Sequence, residues 1–102
     1  MPNPDNGDQR YEIHHSKNVD DSLRRLQRIA SRRGQGKAFR LAFKQILNAL
    51  QLRPWKAGEP LYRLAVMRLQ VRTIVIAPLA IDFGVSEDLP HVYIKSGRLL
   101  SR

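Results

Sequence analysis

The sequence predicts an α+β domain: an N-terminal strand, a helical hairpin, and a twisted antiparallel sheet with the hairpin packed on one face. Three observations carry this prediction. Between residues 18 and 52 the apolar residues recur every three or four positions, in two blocks separated by Gly34-Gln35-Gly36. From Leu61 to Lys95 they alternate with polar residues in three short runs, the period of half-buried strands. The 102 residues are enough for one core and too few for two.

Residues 1–9 carry two prolines, a glycine and no large apolar residue after Met1, and are expected to be a disordered tail. Residues 10–102 then form the single domain. Tyr11, Ile13 and His15 alternate with Glu12 and His14, which predicts a first strand over Arg10–Ser16. The adjacent His14 and His15 would point to opposite faces of that strand and cannot easily chelate one ion. His91 is distant in sequence and is not expected to join them, so no metal site is expected.

The first helix should start near Asn18–Asp20, capped by Asn18 or Asp20, with Asp20 and Asp21 complementing the positive end of its dipole. Leu23, Leu26, Ile29 and Ala30 mark its buried stripe; Arg24, Arg25, Arg28, Arg32 and Arg33 hold the outer side and the C-terminal end. Gly34-Gln35-Gly36 follows a helix instead of a strand and lacks phosphate-loop spacing, so it reads as a turn between antiparallel helices. The second helix should run over 37–52, burying Phe39, Phe43, Ile46, Leu47 and Leu50, until Pro54 ends it. Residues 53–60 read as a loop. Trp55 within it either closes the edge of the core or offers a stacking surface for a base.

Two registers are open at the bend Ala77-Pro78, and they place opposite faces of the strand inward. A two-residue loop pairs Arg72 with Phe83. A three-residue loop pairs Thr73 with Phe83 and Val71 with Val85, separating charge from the aromatic face, and is the register expected on that ground. Ser86–Pro90 makes the next turn, Val92 and Ile94 point inward, and Ser96-Gly97-Arg98 breaks the strand. The outward face then gathers Arg68, Gln70, Arg72, Asp82, His91, Tyr93 and Lys95, with Arg63 on the preceding segment.

Cysteine is absent, which excludes disulfides and thiolate metal sites. No apolar run approaches the ~18 residues of a membrane span, and the N-terminus lacks the apolar core of a signal peptide, so the cytoplasm is the expected location. Lys and Arg number 18 against 9 Asp and Glu. The first 21 residues carry −3, leaving +12 on the remainder. A body this basic points to a polyanionic partner, RNA or DNA, or to an acidic protein that neutralises it.

Tyr11-Glu12-Ile13-His14, the helical hairpin, Gly58-Glu59-Pro60-Leu61-Tyr62-Arg63-Leu64, Arg68-Leu69-Gln70-Val71-Arg72 and the closing Val92-Tyr93-Ile94 occur in an order that resembles the RelE/ParE superfamily. These are the toxins of bacterial type II toxin–antitoxin modules, which include plasmid-stabilisation proteins. The resemblance covers roughly residues 10–96. It implies one of two activities: metal-independent cleavage of messenger RNA in the ribosomal A site through a basic and aromatic sheet face, or poisoning of DNA gyrase. It also implies an acidic antitoxin as partner and no small-molecule cofactor. By position, Arg68 and Arg72 would bind the scissile phosphate, and His91, Tyr93 or Lys95 would transfer protons. Arg63, Lys56 and Arg98 would make further nucleic-acid contacts. The family's nucleases often carry a tyrosine or histidine after the last strand, where this chain has only 96–102, Ser-Gly-Arg-Leu-Leu-Ser-Arg. The alternative is therefore a non-catalytic protein of this fold that binds gyrase, an antitoxin or nucleic acid.

Overall fold

A computed structural model describes residues 9–100. The expected N-terminal tail lies outside the described residues except for Gln9. In chain order the elements are β1 (Glu12–His14), α1 (Lys17–Arg32), α2 (Gly36–Leu52), β2 (Glu59–Leu64), β3 (Leu69–Ile76), β4 (Leu79–Ser86) and β5 (His91–Leu99). They form an α+β fold in which a two-helix hairpin covers one face of a five-stranded sheet of order β1-β5-β4-β3-β2. Every neighbouring pair is antiparallel except β1 and β5, which are parallel. Among the described residues no helix is long and apolar enough to cross a membrane.

The hairpin follows from local chemistry. The cap of α1 is Ser16, slightly earlier than the sequence suggested: its Oγ accepts from the Val19 amide at 3.1 Å, satisfying one of the free donors of the first turn. Asp20 sits inside that turn and accepts from Arg24 one turn on, at 2.9 Å. At the other end Gly34 takes a left-handed conformation, φ +74°. The Gln35 amide then reaches the Ala30 carbonyl at 2.7 Å and the Gly34 amide the Ser31 carbonyl at 3.1 Å. This is the paired-bond ending that glycine permits after a helix, and it turns the chain directly into α2. Leu23 and Ala30 of α1 and Phe39, Ala42, Ile46 and Leu50 of α2 are buried, with Leu26, Phe43 and Leu47 packed beside them. Trp55 also packs against this core, as the edge-closing reading expects.

Beyond the shortening of the first strand from the expected Arg10–Ser16 to Glu12–His14, the sheet departs from expectation in three places. Residues 59–64, read partly as loop, form the edge strand β2. Ser96-Gly97-Arg98 does not break β5: Lys95 is left over as a bulge between the pairs Asp82–Ser96 and Phe83–Ile94, and pairing resumes through Leu99. Gly97 lies where α1 crosses, and a Cβ there would stand 2.8 Å from Leu23 Cδ2 and 3.0 Å from Ile81 Cδ1. The third departure is the register. β3 and β4 join through the two-residue turn at 77–78, pairing Arg72 with Phe83 and Ile74 with Ile81.

The two-residue turn reverses the faces assigned to β3. Ile74 and Ile76 lie on the helix side with Leu79, Ile81, Phe83, Val85, Val92 and Ile94, while Val71, Thr73 and Val75 lie on the outer side. Segregation of charge was a poor guide because both alternations of β3 are largely apolar and both sides bury residues: Ile74 is 7 % exposed on one side, Val71 1 % on the other. The charge that seemed misplaced opposite Phe83 is accommodated at the margin. Arg72 Nε donates to the Ala57 carbonyl at 3.0 Å and Nη2 to that of Gly58 at 3.2 Å, tying the 53–58 loop to β3 while the guanidinium stays near the surface. Gly58 has φ +64°, and a Cβ there would fall 1.9 Å from the Thr73 carbonyl oxygen, so the loop can approach the strand this closely only with glycine.

Candidate nucleic-acid interface and its histidine pair

On the outer face, β1 and β5 set four side chains in a small block. Parallel pairing puts Glu12 beside His91 and His14 beside Tyr93. Since alternate strand residues share a side, all four project away from the helices while Ile13 and Val92 project toward them. His14 Nε2 lies 2.7 Å from His91 Nδ1, a hydrogen bond between two imidazoles. The ring planes are within 4° and the centroids 4.8 Å apart. A nitrogen–nitrogen contact so much shorter than the centroid separation means that the rings meet edge to edge. The Tyr93 ring lies 5.0 Å from that of His14, and the Glu12 carboxylate 3.7 Å from His14 Nε2.

A proton between two imidazoles has a chemical consequence. The ring that donates it has its other nitrogen free as an acceptor; the neutral ring that accepts it carries its own proton on the far nitrogen. Whichever way the shared proton sits, the pair presents one acceptor and one donor beyond the bond. That is the complement needed for one proton removal and one proton delivery.

The bulge at Lys95 extends the block across the sheet. Lys95 Nζ donates to the Tyr62 hydroxyl at 2.7 Å, although β3 and β4 lie between their strands. Both side chains reach over the row Val71–Gly84, two buried outer-face residues, the second with no side chain to obstruct them. Arg98 lies further along β5 and donates to Asp82 at 3.3 Å. Tyr62 and Tyr93 are 48 % and 38 % exposed, so their rings are accessible for stacking. An open hollow of about 400 Å³ beside the block is lined by His14, Ser16, Val19, Tyr93 and Lys95, among others. A larger one, about 720 Å³, lies along α2 and β1 and contains no acid–base pair among its lining residues.

Of the residues singled out from sequence, His91, Tyr93, Lys95 and Arg98 share this face. Arg72 and Gln70 do not: they pair with Phe83 and Val85 and lie on the helix side, Arg72 bound to loop carbonyls. Arg63 pairs with Gln70 and faces the same way, its guanidinium forming two bonds to Glu87, one of 2.7 Å. This contact raises the Arg63 pKa and holds the Glu87 carboxyl below the usual carboxylate range. Arg68 is in the β2–β3 turn, at φ 52°, and donates to Asp88 at 2.7 Å. That bond raises its pKa as well. Lys56 is exposed in the 53–58 loop. Asp82 is on the outer face as expected, bound to Arg98.

The sequence pattern alone brings neither His14 into the catalytic set nor His91 to its side. The spacing of two between Glu12 and His14 was the available signal. What was missing was the knowledge that the first and last strands are neighbours. Comparison of the chain with protein-family models, with curated proteins and with solved structures finds no match.

Proposed function

We infer that this protein is an endoribonuclease of the toxin type that the RelE/ParE resemblance implies, binding single-stranded RNA across the outer sheet face in the cytoplasm. The observation that carries the reading is the hydrogen-bonded His14–His91 pair. Cleavage within an RNA strand requires a base to take the 2′-hydroxyl proton, an acid to protonate the leaving 5′-oxygen, and positive charge on the phosphorane formed between these steps. The pair offers the first two functions from one fixed unit. Lys95 supplies a nearby cation, and Tyr93 and Tyr62 offer ring faces for the flanking bases. This assignment moves the proposed machinery away from Arg68 and Arg72 and onto β1 and β5. The net charge of +9 favours the same polyanionic substrate and an acidic antitoxin as the neutralising partner.

The test is incubation of the protein with messenger RNA, with and without ribosomes, followed by analysis of the new ends. Attack by the 2′-hydroxyl leaves a cyclic phosphate on one fragment and a 5′-hydroxyl on the other. Intact RNA under both conditions, together with inhibition of gyrase supercoiling, would instead establish the non-catalytic alternative.

A further inference from the structure

The block that holds the histidine pair has a second capacity. Glu12, His14 and His91 each direct one donor atom into the same space, and these atoms all lie within 4.8 Å of one another. Their convergence is built into the sheet. Glu12 and His14 are two apart on β1, and His91 is the parallel partner of Glu12 on β5. Two imidazole nitrogens and a carboxylate oxygen are the donor set of many three-ligand zinc sites. Ca²⁺ and Mg²⁺ prefer oxygen donors throughout. We propose that Glu12, His14 and His91 form a binding site for a borderline transition-metal dication, Zn²⁺ above all.

The geometry is close to what such an ion needs. Bonds of about 2.05 Å at a tetrahedral angle put neighbouring ligand atoms about 3.3 Å apart. The histidine nitrogens stand at 2.7 Å and the carboxylate oxygen at 3.7 Å from His14 Nε2, on either side of that value. Opening the first and closing the second requires about half an ångström each, and the Glu12–His91 pair, within 4.8 Å, must close by up to about 1.5 Å, movements that side-chain rotation on a three-residue edge strand can supply. The ion replaces the proton shared by the two rings. Three protein ligands leave a fourth position for water or an oxygen of a bound anion.

Metal binding also changes what the pair presents. With His14 Nε2 and His91 Nδ1 on the metal, each neutral ring carries its proton on its remaining nitrogen. The pair then offers two donors and no acceptor, so the base is lost. Zn²⁺ therefore inhibits RNA cleavage in which an imidazole is the base, a consequence that rests on the endoribonuclease reading; the binding site itself does not.

The experiment uses the full chain without affinity-tag histidines. Titration with Zn²⁺ by calorimetry should give one site, with the His14 and His91 ring nitrogens moving in two-bond proton–nitrogen spectra. His14→Ala and His91→Ala should each weaken binding at least about 100-fold, and Glu12→Gln about 10-fold, with circular dichroism confirming that each variant is folded. Absence of saturable binding, or binding unchanged in both histidine variants, overturns the site. RNA cleavage is then measured in chelator and after saturation with Zn²⁺. Cleavage in chelator that stops with Zn²⁺ supports both statements, and equal cleavage in the two overturns the inhibition. One Zn²⁺ bound through His14 and His91, with no cleavage under either condition, supports the site and overturns the endoribonuclease reading alone.

Discussion

The two edges of the sheet treat their polar residues differently. At the β2–β3 edge each arginine is matched to oxygen: Arg63 to Glu87, Arg68 to Asp88, and Arg72 to the carbonyls of Ala57 and Gly58. These contacts hold the β2–β3 turn to the segment after β4, and the 53–58 loop to β3. Toward the β1–β5 edge Arg98 is likewise bound to Asp82, but His14 bonds to His91, and Lys95 reaches across the sheet to the Tyr62 hydroxyl of β2, groups that can exchange protons. An arginine bound to a carboxylate is occupied in both charge and geometry, whereas an imidazole bound to an imidazole keeps a functional nitrogen. Residue type and charge drew attention to the first edge. The bonding pattern leaves exchangeable protons at the second.

On the endoribonuclease reading proposed above, the largest effect that could break this comparison is on cleavage. His91→Ala should lower the rate about 10²–10⁴-fold, the usual contribution of a positioned acid–base group, with little change in the urea midpoint. A rate unaffected by His91→Ala would remove the β1–β5 edge from the mechanism. Arg72→Ala should behave in the opposite way. Loss of two charge-assisted bonds to loop carbonyls should cost about 1–3 kcal/mol in urea unfolding, while the folded fraction cleaves at the parental rate. A stable Arg72→Ala variant with no activity would return that residue to the site.

Binding separates the edges more finely. With a non-cleavable single-stranded RNA, Lys95→Ala should reduce the slope of log affinity against log salt by about 0.7, the loss of one phosphate contact. Arg63→Ala should leave the slope unchanged, since its guanidinium is already bound to Glu87. The smallest effect is a pH dependence at the β2–β3 edge. Because Arg63 depresses the Glu87 pKa, this pair contributes fully above the unfolded carboxylate value of about 4.3 and loses its contribution as pH falls through the lower, folded value. The stability difference between the parent and Glu87→Gln should therefore shrink on acidification from pH ~5 to pH ~2. A difference that grows with acid would contradict the assignment.

Some of this was legible without coordinates. The stripe Leu23, Leu26, Ala30 and the stripe Phe39, Ile46, Leu50 announce two helices, and Gly34 announces the turn between them. The inward alternation of Ile81, Phe83 and Val85 against Val92 and Ile94 was equally clear. The candidate site was legible only in part: His91, Tyr93 and Lys95 were correctly placed on one face, but Arg72 was assigned to the wrong one and His14 was not connected to them.

The sequence by itself determined the α+β class, the hairpin, and the inward alternation of β4 and of the first half of β5, because helix periodicity, turn glycines and strand alternation are properties of neighbouring residues. Tertiary structure alone decided the register at 77–78 and the partner of β1. A strand that is apolar on both alternations, as β3 is, does not say which side is inward; the turn does, by one residue. Nor does a three-residue strand specify a neighbour 77 residues away. That pairing packs the partly buried Ile13 and the fully buried Val92 against the core on one side. On the other, the same pairing brings Glu12, His14, His91 and Tyr93 together.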